Sequence, residues 1–312
     1  MLQLHTAIDG DSSVPRALGR ASVLLDAVRD GIPRLTVALT RGDSVVLGSR
    51  QRAGRVVDLE ACARAGVSVL RRVSTGPAVC LRGEAIVWTL ALPRVDTLLS
   101  DATLRTILNR NVRLLLPGLT RWGATAAYFG REWIALRHRP GVLLGYDLTA
   151  DGRVLIEAFV GWSNDFEIPR ELASPEERSV DRWMAKRPVA LSSLVGDRCE
   201  SFRLAEGLLT AAAERAGAVA FLEEPLDAED VPCVCCPDDP VPAGFRLGSL
   251  VRVPIGWVEA AEGTGGRWFG GDALTSNAWL DARGSGSAEG AGEGPLEGAR
   301  WEDFEASLRG GG

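Results

Sequence analysis

A chain of 312 residues with 46% hydrophobic content has room for one large domain and an appendage, and a core of that size does not depend on disulfides. A net charge of −6 excludes nucleic acid as a bulk electrostatic partner, because phosphate binding needs a basic face that this total does not supply. No run approaches the roughly 20 apolar residues of a membrane span, and the opening MLQLHTAIDGDSS lacks the basic start and apolar stretch of a secretion signal; the expected setting is cytoplasmic, with neither nucleic acid nor membrane as partner.

Ser13 as cap, Pro15 in the first turn and Gly31 at the close predict a helix over 13–31, with Leu18, Leu25 and Val28 near one face. Residues 34–51 alternate apolar and polar around Gly42-Asp43, which predicts a strand pair. A short helix ending at Gly66 and a short strand, VSVLRR, lead to residues 71–90, RRVSTGPAVCLRGEAIVWTL. Two arginines open a small-residue loop that runs into a strand apolar on both faces, the pattern of a central strand. Residues 100–119 read as a capped amphipathic helix broken near Pro117. Three strands follow, 126–137, 141–148 and 152–162, the last two joined as a hairpin through TADG. A polar, proline-bounded stretch (163–188) then precedes a helix over 199–217.

Near residue 223 the composition shifts to proline and acid, as in a linker or an ordered irregular loop. The expected organisation is a main domain over 1–222, a Pro/Cys-containing linker with a small C-terminal β appendix over 223–282, and a low-complexity, disordered tail over 283–312 with a short helix in RWEDFEASL. Of 35 lysine-plus-arginine side chains 34 are arginine, Lys186 being the exception.

Taken in order, the elements up to residue 222 resemble the lipoate-protein ligase and biotin-protein ligase superfamily, of which this chain reads as a divergent member. Gly48 and Gln51 match the end of that family's first strand pair, and 71–82 resembles its Arg-Arg-x-Ser/Thr-Gly-Gly-Gly-Ala-Val-x-His-Asp signature. Gly130 and Arg131 match a Gly-Arg pair in the segment that normally precedes the catalytic lysine. The resemblance implies an α+β fold, a mixed β-sheet flanked by helices, and a glycine loop whose backbone closely approaches an acyl chain and adenylate. The residues that do chemistry depart from it. Thr75 and Pro77 stand at glycine positions, Leu81 and Arg82 replace the His-Asp pair, and REWIALRHRPGVLLG contains no lysine.

The ligand-binding set that follows is Arg71, Arg72, Ser74, Thr75, Gly76 and Ala78 of the loop, with Arg137, His138 and Arg139 as a remodelled anion clamp. Arg71 and Arg72 also fit a solvent-facing strand end, and the 137–139 cluster a polar edge strand. Cys80 suits packing better than nucleophilic chemistry, since only His5 and His138 could serve as imidazole bases. CVCC (233–236) lacks a second ligand pair for a metal, and none is assigned. Trp268 and Phe269 fit an ordinary hairpin.

Two functional classes remain. In one, a pseudoenzyme binds a small carboxylate, a nucleotide-like ligand or a protein partner without ligating. In the other, an active ligase or acyltransferase uses ATP and lipoate or octanoate to pass an acyl group through an acyl-adenylate to the lysine of a lipoyl or biotinyl carrier domain. The absent lysine, the absent His-Asp pair and the diluted glycine run favour the first.

Overall fold

The computed structural model describes residues 2–196, 199–234, 240–253, 256–285 and 301–309. The first half of the chain forms β1 (Gln3–Ser13), α1 (Val14–Ala27), β2 (Arg34–Arg41), β3 (Ser44–Leu47), α2 (Ala53–Val56), α3 (Leu59–Arg64), β4 (Ser68–Arg71), β5 (Val79–Leu81) and β6 (Glu84–Leu92). Next come α4 (Ile107–Asn111), α5 (Leu116–Arg121), β7 (Ala126–Tyr128), β8 (Trp133–Leu136), β9 (Arg139–Leu148), β10 (Val154–Gly161), α6 (Pro175–Ser179), α7 (Ser192–Val195), α8 (Ser201–Ala216) and β11 (Val219–Leu222). The C-terminal part holds β12 (Arg246–Leu247), β13 (Val251–Val253), β14 (Gly256–Gly263), β15 (Gly266–Gly271), α9 (Asn277–Gly284) and α10 (Trp301–Arg309).

Eight strands make one open sheet in the order β11-β1-β2-β6-β10-β9-β8-β7. It is mixed: β1 runs parallel to β11 and β2, and the other pairings are antiparallel. A second sheet, β4-β3-β5, and a third built from β12 to β15 complete an α+β fold with no barrel. β6 is central, as its two-sided apolar pattern predicts. Trp88 and Leu90 pack on one face with Leu108, Leu119, Leu204 and Leu208 of the flanking helices. Val87 packs on the other face with Leu18 of α1 and Val46, Leu70 and Val79 of the second sheet. Burial on both sides is what removes polar alternation from such a strand.

The α1 signals hold. Ser13 Oγ accepts from Arg16 N, Pro15 lies in the first turn, and Gly31 closes the following 3-10 turn at φ 88. Its buried residue is Leu24 rather than Leu25. Three expectations are corrected, and one strand, β1, is added. β2 and β3 do not pair: Gly42 (φ 121) turns the chain out of the large sheet, so β2 joins β1 and β6 while β3 joins β4 and β5. Residues 100–119 yield α4, a 3-10 turn and α5 rather than one helix, with Pro117 in the first turn of α5, where its missing N–H is no loss. Residues 126–137 fold into two short strands, β7 and β8. β1 carried no strand signal, because Asp9, Gly10 and Asp11 interrupt its apolar positions; its partners β2 and β11 supply the hydrogen bonds that fix it.

Residues 223–234 form an ordered irregular segment across α1. Arg20 Nε donates to Leu226 O at 2.9 Å, Val231 N donates to Pro15 O at 3.2 Å, and a Cβ on Gly19 would lie 1.9 Å from Glu229 O. The apolar side chains of the third sheet, Val258, Ala260 and Phe269, join the main core. Phe304 of α10 is buried edge-on to Phe269. The expected low-complexity stretch at 286–300 lies outside the described residues, as do Cys235 and Cys236 of CVCC. Among the described residues no helix is long and apolar enough to cross a membrane, and no group of three or more His, Cys, Asp or Glu could hold a metal ion.

Candidate ligand cleft and the loop beside it

The loop between β4 and β5 is held by its own two arginines. Arg71 Nη1 donates to the carbonyls of Gly48 and Gln51, at 3.1 and 2.7 Å, and so fixes the turn after β3. Arg72 is fully buried. Its Nε donates to Ser74 Oγ at 2.9 Å, its Nη2 donates to Thr75 O and Pro77 O at 3.1 and 2.9 Å, and it stacks over the Phe159 ring at 5.0 Å. Ser74 Oγ in turn donates to the buried carboxylate of Glu157 on β10. Burial holds the Arg72 guanidinium down to about 10, so it remains a cation at neutral pH.

The loop is covered by the segment that runs from β15 into α9. Thr275 N donates to Thr75 Oγ1 at 2.9 Å, Thr75 Oγ1 donates to Thr275 O at 2.8 Å, and Asn277 Nδ2 donates to Val73 O at 2.9 Å. Gly76 has φ 112, and a Cβ there would lie 2.6 Å from Leu144 O and 2.8 Å from Leu274 Cδ2. Its conformation and its lack of a side chain are therefore both used, but by the protein's own chain rather than by an open cradle. Leu274 packs against Gly76, Arg72 is committed to the loop, and the buried Glu157 carboxyl lies beside it.

Open space lies next to the loop. A cleft of about 710 Å³ is lined by Ala78, Arg82, the 165–170 segment, Glu177, Arg178 and residues 180–183 with Lys186; Phe166, Ile168 and Trp183 are its larger apolar side chains among mostly polar ones. Among the described residues Arg82, Arg170 and Arg178 form no ion pair, whereas Arg182 is bound bidentately to Glu177, at 2.8 and 2.9 Å, and to Asp272 at 2.5 Å. Partial burial and neighbouring Asp165 push the Glu167 carboxyl above its ordinary range. The sole lysine, Lys186, stands on the same wall, with Nζ 5.2 Å from the centre of the Trp133 ring. Its distance along the chain from Gly130-Arg131 hides this, and only the return of the 163–188 stretch brings it near Ala78.

Of the sequence-derived set, Arg71, Arg72, Ser74, Thr75, Gly76 and Ala78 come together, and Ala78 alone lines the cleft. Arg137, His138 and Arg139 lie elsewhere. Arg137 (φ 47) and His138 (φ 67) form the tight turn between β8 and β9. Arg137 Nη2 donates to Gly123 O at 2.9 Å, and Arg139 donates to Arg187 O and Pro188 O at 3.0 and 2.6 Å. Five residues of extended strand, about 17 Å, separate Arg139 from Leu144, which touches Gly76. Cys80 is fully buried, and burial pushes its thiol up to about 12, consistent with a packing role.

Sequence reading passed over Glu132, although it directly follows Gly130-Arg131. The carboxylate is fully buried, forms no hydrogen bond and faces Arg252 of β13 at 3.7 Å. Burial raises its pKa from the ordinary 4.5, with the Arg252 charge opposing. The folded state therefore holds this proton more tightly than the unfolded chain, and stability falls as pH rises from about 4.5 through the folded value. Glu132→Gln should raise Tm by a few degrees at neutral pH and flatten that slope. Thermal melts from pH 4 to 8 check it; a lower Tm with an unchanged slope would show that the Arg252 pair outweighs the burial.

Residues 16–154 match the family model of the lipoyl protein ligase A/B catalytic domain. Among solved structures, P. falciparum LipL1 in complex with lipoate is similar over 90% of this chain and 88% of its own, with a TM-score of 0.67 and 13% identity. The bi-partite lipoate protein ligase of Thermoplasma acidophilum with its E2 lipoyl domain covers 72% and 88%, with a TM-score of 0.60 and 15% identity. A lipoate-protein ligase A bound with ATP covers 72% and 89%, with a TM-score of 0.58 and 14% identity. At these identities the structural likeness speaks for the fold. No curated protein matches the chain in sequence.

Proposed function

From the match of residues 16–154 to the lipoyl protein ligase A/B catalytic-domain model and the lipoate-protein ligase fold, we propose that the chain is a member of that superfamily, binds a small acyl carboxylate in the cleft beside the glycine loop and does not carry out ATP-dependent ligation of the standard kind. The observation that carries this reading is the contrast between a loop packed by Leu274 and Thr275 and an open neighbouring cleft with cations that form no ion pair, Arg82 and Lys186, beside the apolar side chains of Ile168 and Trp183. The carboxylate is held by Arg82 and Lys186, and the acyl chain lies along Phe166, Ile168 and Trp183. Arg71, Arg72, Ser74, Thr75 and Gly76 shape the wall from beneath, with Ala78 at its surface. Arg137, His138 and Arg139 brace the far hairpin.

The placement of Lys186 supports a second reading, an active ligase or acyltransferase in which this lysine supplies the charge missing from the 131–145 stretch and a carrier-domain lysine takes the acyl group. ATP-dependent pyrophosphate exchange with lipoate, octanoate and biotin, run beside thermal-shift titrations, separates the two. The expected result is a thermal shift with octanoate or lipoate and no exchange, the shift needing about tenfold more ligand in Arg82→Ala. Exchange above background would establish the second reading, and silence in both assays would sink acyl binding.

A further inference from the structure

Wherever else this chain needs a cation it uses arginine: in the buried hydrogen bonds of Arg72, the buried ion pairs of Arg182, the carbonyl clamps of Arg71, Arg137 and Arg139, and across the surface. Lysine stands only at position 186. What lysine offers and arginine does not is a side chain that can give up its proton and become a nucleophilic amine.

The setting of Lys186 suits that use. It is exposed on the wall of the cleft, and among the described residues it forms no ion pair; its side chain rests against the face of Trp133, itself buried and so a fixed platform. The two residues before it, Met184 (φ 53) and Ala185 (φ 59), both adopt the left-handed conformation without being glycine, which costs them conformational energy. Ala185 N donates to Asp181 Oδ1 at 2.9 Å and Lys186 N donates to Trp183 O at 3.1 Å, which hold that turn closed. Strain retained by such bonds fixes the direction in which residue 186 leaves the backbone. The carboxylates around the cleft are Asp165, Glu167, Glu177 and Asp181, of which Glu177 is committed to Arg182.

We propose that Lys186 is an acyl acceptor, and that an acyl thioester entering the cleft transfers its acyl group to Nζ. The ammonium first gives one proton to water or to a cleft carboxylate. The neutral amine attacks the thioester carbonyl, the C–N bond forms, the C–S bond breaks, and the departing thiolate takes the second nitrogen proton. The products are an amide at Lys186 and a free thiol, with no change of oxidation state. This rests on the cleft being an acyl site, and adds that the chain itself carries the acyl group.

The test incubates the full chain with the octanoyl thioester of N-acetylcysteamine and follows intact mass, with peptide mapping and a neutral hydroxylamine wash that removes thioesters but leaves amides. The expected result is one octanoyl increment, mapped to Lys186, stable to hydroxylamine and formed at least tenfold more slowly in Lys186→Arg. An increment unchanged in that variant, one removed by hydroxylamine and so carried by a cysteine such as Cys233, or none at all would overturn the proposal. A thermal shift of the wild-type chain by octanoate without acylation would leave the acyl-binding reading standing and this one fallen; absence of both would remove both.

Discussion

Asp272→Ala is expected to lower stability by about 3–5 kcal/mol, the usual loss when one member of a buried ion pair is removed and the other charge stays behind. Asp272 is fully buried and accepts from Arg182 Nη1 and from the backbone N–H of Trp257, with Arg55 Nη2 3.6 Å away. It stands between β15 and Leu274, so its loss should also loosen Thr275 and Asn277 from the glycine loop. Urea unfolding measures the stability, and limited proteolysis reports whether residues 272–285 become accessible. Asp272→Asn, which keeps an acceptor for Trp257 but not the charge, should fall between the two. A loss under about 1 kcal/mol would mean that Arg182 and Arg55 relax towards Glu177 and that the C-terminal sheet is held by apolar contact instead.

The second large effect is expected at Glu157. Its carboxylate is fully buried, accepts from Ser74 and acts electrostatically on Arg72; burial raises its pKa, offset in part by Arg72 and Ser74. Glu157→Ala leaves Ser74 Oγ without its acceptor and takes away the larger of the two negative influences on the buried Arg72 guanidinium, the other being Asp272, and should again lose about 3–5 kcal/mol. Arg72→Met with Glu157→Leu removes both charges at similar volume and should be less damaging than the sum of the single changes by more than about 1 kcal/mol. Denaturant unfolding of the four proteins closes the cycle. Additive losses would show that Arg72 acts through its bonds to Ser74, Thr75 and Pro77 and not through the charge of Glu157.

Both results bear on how the superfamily loop is used here. In a loop that admits ligand, the missing side chain of a glycine makes room for something from outside. At Gly76 that room is taken by Leu144, Leu274 and Arg72 from the same chain. The neighbouring cleft keeps the solvent-facing cations Arg82 and Lys186, and the proposed acyl chemistry is assigned there.

Local signals determined a good deal. Ser13, Pro15 and Gly31 delimit α1 because capping and left-handed closure depend on a few adjacent residues. The unbroken apolar run of β6 announces a strand covered on both faces, and the chain order of elements up to residue 222 carries the superfamily resemblance. What the sequence could not decide was which strands pair, since β2 and β3 differ only in the partners the fold brings to them. Nor could it place Lys186 near Ala78, bring Thr275 onto Thr75 across 200 residues, or separate Arg139 from the loop by the length of a strand. Those outcomes depend on long-range burial and hydrogen bonding, which are set only when the sheets close on one another.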